Sequence, residues 1–218
     1  IKAGREIAVA TTKAYSAQVA MLSLIALNLA SAKGNIDKNE IKDILKDIKE
    51  LPVKLENTIL NPEYEKIANA IYENESVFFI GRGIDYALSM EGSLKLKEIS
   101  YIHSECFAAG ELKHGPIALL SKNTPVIALM TEFSVYEKTL SNVLEAKSRK
   151  AKIIIIRKES INIDKNVADY EIVIPLTTEY VQNLLLMVSC QLLAYEVAKL
   201  RKCDIDKPRN LAKSVTVE

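Results

Sequence analysis

The sequence predicts an α/β protein, a three-layer α/β/α sandwich built on a parallel sheet. Three observations carry that reading. Four short apolar runs, Val77–Ile80, Pro125–Met130, Ile153–Ile156 and Ile172–Ile174, are continuous rather than alternating, as strands covered on both faces require. Helical segments at about 85–100, 134–149 and 178–200 follow the first, second and fourth runs, and strand–helix alternation implies parallel pairing with helices on both sides. Gly81-Arg82-Gly83 closes the first run, at the carboxyl end of a strand, where such sheets bind ligands.

Upstream of the sheet the chain reads as helical. Thr11 or Thr12 can cap a helix running to about Ala32, which Gly34 stops. No charge occurs between Lys13 and Lys33, but Ser16, Gln18, Ser23, Asn28 and Ser31 do. That is too polar for a membrane span, so a buried helix inside a larger α/β body is expected. Ile41, Ile44, Leu45 and Ile48 stand at helical spacing in a second helix, which Pro52 is expected to break or restart. Asn61-Pro62 marks a boundary, with Pro62 suited to the first turn of a helix holding Tyr64, Ile67, Ala68 and Ile71. Residues 203–218 show neither helical nor strand period and read as a solvated tail.

Composition bounds the function. In 218 residues, 29 Lys and Arg against 28 Asp and Glu leave a formal charge of +1, with no basic excess for a nucleic-acid backbone. Cys106, Cys190 and Cys203 are odd in number and widely spaced. They suit a reducing, cytoplasmic setting better than a disulfide framework. No secretory leader pattern is present at Ile1–Glu6.

Two clusters have chemistry in them. Glu91, Lys95 and Glu98 fall on one face of the 85–100 helix, either as a surface salt-bridge stripe or as a charged stripe turned into a cleft, where a carboxylate beside an ammonium can move protons on and off carbon. In Gly110-Glu111-Leu112-Lys113-His114-Gly115-Pro116 the flanking Gly and Pro shape a loop around His114, either an exposed histidine or an acid–base catalyst near neutral pH. His103 and His114 have no metal-site spacing, and Gly81-Arg82-Gly83 is no dinucleotide fingerprint.

Three stretches together carry a resemblance: Glu6-Ile7-Ala8-Val9-Ala10-Thr11-Thr12-Lys13-Ala14, the segment Glu91–His103 with Gly110–Pro116, and Pro208–Glu218. In order and across essentially the whole chain, they resemble the glutamine–fructose-6-phosphate amidotransferase family. The resemblance implies the C-terminal isomerase part of a longer protein, made of sugar isomerase (SIS) subdomains. Upstream would lie the glutaminase domain and the first strands of the first SIS subdomain, with their Ser/Thr-rich phosphate loop. On this reading residues 1–60 are the C-terminal portion of the first SIS subdomain, 61–202 the second SIS subdomain, and 203–218 a catalytic tail.

The resemblance also implies roles. Lys213 forms a Schiff base with the C2 carbonyl of open-chain fructose 6-phosphate. Glu98 shuttles a proton between C1 and C2. His114 opens the sugar ring and, in a homodimer, reaches the partner subunit's site. Lys95 is a second active-site lysine, and Val9 and Ala212 touch the sugar through their backbones. The product would be glucosamine 6-phosphate, made with ammonia from the glutaminase domain, as the first step of hexosamine biosynthesis. No metal or organic cofactor is implied, and neither nucleic acid nor membrane is an expected partner. A non-catalytic sugar-phosphate-binding SIS module and a plain aldose–ketose isomerase are the competing readings.

Overall fold

The computed structural model of the chain describes residues 1–214; Val215–Glu218, part of the family-like ending, lie outside the described residues. Three helices, α1 (Lys13–Ala32), α2 (Lys38–Ile59) and α3 (Glu63–Ile71), precede the sheet. Then follow β1 (Ser76–Gly81), α4 (Ile84–Ser100), β2 (His103–Ala108), two short 3₁₀ segments (Ala109–His114 and Pro116–Leu119), β3 (Pro125–Met130), α5 (Tyr136–Lys147), β4 (Lys152–Lys158), β5 (Tyr170–Ile174) and α6 (Glu179–Leu200).

The sheet is parallel throughout, in the order β2-β1-β3-β4-β5. Successive strand side chains point to opposite faces, and both faces are covered, hence the unbroken apolar runs. Val77, Phe79, Ile127, Leu129, Ile154 and Ile156 pack with α3, α4 and α6. Phe78, Ile80, Val126, Ala128, Met130, Ile153 and Ile155 pack with α5 and the first 3₁₀ segment. The three-layer sandwich expected from the sequence is the fold observed.

Three local expectations are corrected. First, β2 lies within a stretch that sequence reading left without a strand. It is an edge strand, His-Ser-Glu-Cys-Phe-Ala, with too few apolar residues to announce itself, and it follows α4 after only two residues because Tyr101 takes a left-handed conformation (φ 62°). Second, Pro52 lies inside a continuous α2; it is exposed, so water can satisfy the carbonyl that its missing N–H leaves free. Third, α1 has no buried residue. Met21, Leu22, Leu24, Ile25 and Leu29 are exposed, because no described element covers that side.

Helices α1 and α6 are both long and apolar enough to cross a bilayer, by length and composition alone. Helix α6 is instead a core helix of this fold, packed on α3 and α4 through residues such as Leu185, Leu186 and Cys190.

Candidate functional site

The charged stripe on α4 turns inward. Lys95 is only 4% exposed, although it is a lysine. A buried ammonium must be paired, and its Nζ lies 2.5 Å from Glu98 Oε2 and 3.4 Å from Glu91 Oε1. Both carboxylates remain about one-fifth exposed, at 21% and 20%. Burial raises the Glu91 carboxyl above its ordinary value, against the opposing pull of Lys95.

Lys95 opens onto a cavity of about 210 Å³ closed by Ala8, Ala10 and Thr12 on one side, Gln191 and Tyr195 of α6 on another, and Ile205 and Asp206 of the tail. The two chain ends meet here: Val9 N–H donates to the Asp206 carbonyl at 2.9 Å. Beyond it, Lys213 Nζ pairs with Glu6 Oε2 at 2.6 Å and donates to Thr11 Oγ1 at 2.9 Å and to the Val9 carbonyl at 3.2 Å. This ion pair holds the Glu6 carboxyl below its ordinary value.

The same residues define the start of α1. Thr12 takes the N-cap position, but its side chain makes no capping bond. Glu6 Oε1 accepts the Ala14 N–H instead, at 3.4 Å, which places a carboxylate at the positive end of the helix. The Thr11 hydroxyl serves Lys213.

Glu98 lines a second hollow with Leu94, Lys97, Tyr101, Arg209, Asn210 and Leu211. Lys95, Glu98, Val9 and Lys213 are therefore brought into one region, where α4, the first twelve residues and the tail converge; Ala212, next to Lys213, is exposed there. His114 is not brought in. It ends the 3₁₀ segment beyond the carboxyl end of β2, exposed, whereas Glu98 lies near the end of α4, which leads into the amino end of β2. Six strand residues separate the two ends by about 20 Å.

A cavity of about 570 Å³ does open at the carboxyl ends of the strands, lined by Ile84, Thr131, Glu132, Phe133 and Lys158, but none of the expected site residues lines it. The lysine–carboxylate cluster sits toward the amino ends of the strands, away from Gly81-Arg82-Gly83. Arg82 instead reaches under the loop after β2. Its Nη2 donates to Asn142 Oδ1 of α5 at 2.9 Å, and a Cβ on Gly110 would come within 2.7 Å of the same nitrogen. The absence of a side chain at Gly110 thus leaves the room through which Arg82 reaches α5.

Sequence reading missed Glu6, Thr11, Tyr101 and Arg209. All four lie within the quoted family-like stretches, but nothing in their spacing ties Glu6 to a lysine 207 residues further on. No group of three or more His, Cys, Asp or Glu that could hold a metal occurs among the described residues.

The SIS domain family matches residues 70–201. A glutamine–fructose-6-phosphate aminotransferase (isomerizing) of Caldanaerobacter subterraneus subsp. tengcongensis is 49% identical over 217 residues, covering 99% of this chain and 36% of that protein. The protein of the same name from Clostridium tetani is 48% identical over 218 residues, again 99% and 36%. Among solved structures, the C-terminal domain of glucosamine-fructose-6-phosphate aminotransferase from Francisella tularensis aligns with a TM-score of 0.88 at 33% identity, covering 94% of this chain and 58% of that one. The chain spans about a third of the length of the curated relatives it matches.

Proposed function

The chain belongs to the SIS domain family, and on that premise we propose that it is the isomerase part of an enzyme that converts fructose 6-phosphate and ammonia to glucosamine 6-phosphate through an imine on Lys213. The observation that carries the reading is the placement of the Lys213 amine. A tail lysine far along the chain is held against Glu6, Thr11 and Val9, beside the cavity that the buried Lys95 opens onto.

The chemistry follows from the residue types. An imine at C2 is an electron sink, so the C1 proton becomes acidic enough for a carboxylate to take. Glu98 is that carboxylate, carrying the proton between C1 and C2, and Lys95 neutralises it at rest and holds it in place. The Val9 and Ala212 backbones contact the sugar. The tail, exposed from Arg209 to Ser214, moves over the ketose and excludes water once its resting contacts at Lys213 are released.

His114 opens the sugar ring in the site of a partner subunit. Its position at the far end of β2 from Glu98 supports a shared site and a homodimer. Residues 1–60 would be the end of a first SIS subdomain, 61–202 the second, and 203–218 the catalytic tail. The uncovered apolar side of α1 supports contact with an earlier part of a longer protein. A glutaminase domain there would supply the ammonia, so that the whole protein begins hexosamine synthesis. Three free thiols support a cytoplasmic setting.

The test is an assay of the intact protein with fructose 6-phosphate and either glutamine or ammonium as the nitrogen source. Glucosamine 6-phosphate should form and should disappear in Lys213→Ala. Glucose 6-phosphate formed without any nitrogen requirement would instead mark a plain isomerase. Sugar-phosphate binding without turnover would mark a binding module.

A further inference from the structure

We propose that Glu6 is the acid–base partner of Lys213, taking a proton from its ammonium before attack on the ketose and returning it when water leaves. The proposal rests on the reading of Lys213 as the imine-forming lysine and deepens it.

An ammonium has no lone pair, so Lys213 must lose a proton before it can bond to carbon. Its polar neighbours among the described residues are the Glu6 carboxylate, the Thr11 hydroxyl and the Val9 carbonyl. Of these the carboxylate is by far the strongest base and the one that can take the proton transiently. Lys95 already engages the carboxylates of Glu98 and Glu91, and Asp206, which lines the same cavity, makes no ion pair with Lys213 among the described residues. Glu6 is 15% exposed against 43% for Lys213, so the acid is the sheltered, fixed member of the pair and the amine the mobile one. Its second oxygen is tied to the Ala14 N–H at the start of α1. It therefore stays in place when the tail moves. The lowered carboxyl value of Glu6 agrees with a resting ammonium–carboxylate pair.

The step balances. One N–H bond of the ammonium breaks and its proton passes to Glu6 Oε2. The freed lone pair forms the N–C2 bond as the carbonyl π electrons move to oxygen, which takes a second proton from nitrogen to give a carbinolamine. Glu6 then protonates the carbinolamine hydroxyl, the C2–O bond breaks, water departs, and the nitrogen lone pair completes the C=N bond. Ammonium, carboxylate and ketone have become iminium, carboxylate and water.

The experiment uses the intact protein containing this chain, fructose 6-phosphate and borohydride, with the adduct on Lys213 measured by peptide mass spectrometry over time. Glu6→Gln keeps an oxygen for the Ala14 N–H and removes the proton acceptor. Its trapping rate should fall about 100-fold or more, with the sugar concentration giving half-maximal rate changed less than about threefold, and Glu6→Asp should restore about a tenth or more of the lost rate. If the wild type is trapped on Lys213 and Glu6→Gln is trapped at the same rate, Glu6 has no such role and the Lys213 reading stands. If the wild type gives no adduct on Lys213, that underlying reading fails, and this proposal with it. Should Glu6→Gln not fold, Glu6→Asp decides alone: a slowed rate at unchanged half-saturation supports the role, and an unchanged rate overturns it.

Discussion

The guanidinium of Arg209 lies 4.3 Å from the centre of the Tyr101 ring, and the Arg209 backbone N–H donates to the Tyr101 hydroxyl at 2.8 Å. One side chain at the end of α4 thus holds the tail four residues before Lys213, using both its π face and its oxygen. Tyr101→Phe should loosen the tail by about 1 kcal/mol through loss of the acceptor. Tyr101→Ala should add about 0.5–1 kcal/mol for the lost cation–π contact. Trypsin cleavage at Arg209 and Lys213 in the intact protein measures this: faster in Phe, faster again in Ala. Equal rates in all three proteins would show that Tyr101 does not anchor the tail.

The Glu6–Lys213 pair makes tail docking sensitive to acid. The folded Glu6 carboxyl lies below its ordinary value of 4.5. The pair's contribution is therefore complete above about pH 4.5, falls as pH drops below it, and is gone below the depressed folded value. An exposed pair of this kind contributes about 0.2–1 kcal/mol. The Ala212 methyl resonance should shift with a midpoint below 4.5 in the wild type and show no such step in Glu6→Gln.

Lys95→Met should destabilise the protein at neutral pH. Removing one member of a buried ion pair costs about 3–5 kcal/mol, reduced here to about 2 because Glu91 and Glu98 keep some contact with water. Glu91 has a raised folded value, set first by burial. Its contribution is thus most favourable below its ordinary value and declines as pH rises through the raised one, a decline that Lys95 limits. The urea midpoint of Lys95→Met should therefore fall further below wild type at pH 7 than at pH 4.5. An equal deficit at both would contradict this.

Gly92 sets the distance between α4 and α6. A Cβ there would come within 3.0 Å of Cys190 Sγ and 3.1 Å of Phe79. Gly92→Val should overpack this contact by about 1–3 kcal/mol. It should also lower turnover, because the next turn of α4 carries Lys95. A wild-type urea midpoint would show that the helices can separate without cost.

The sheet was legible wherever burial on both faces left its mark, as in Ile153–Ile156, which became the centre of β4. It was illegible at β2, whose edge position lets polar residues stand in a strand. The inward turn of the Glu91–Lys95–Glu98 stripe was beyond periodicity, since a solvated stripe and a buried one have the same spacing. The meeting of Glu6 with Lys213 was equally hidden, because it is made by tertiary closure of the two chain ends. The uncovered side of α1 shows the converse. An apolar helix states that it needs cover, and not what provides it.

The most direct measurement is a crystal structure of the intact protein soaked with fructose 6-phosphate. The account predicts continuous density between Lys213 Nζ and C2 of the open-chain sugar, with Glu98 beside C1 and C2. A bound ketose with Lys213 still on Glu6 and no bond to C2, at full occupancy and under turnover conditions, would contradict it.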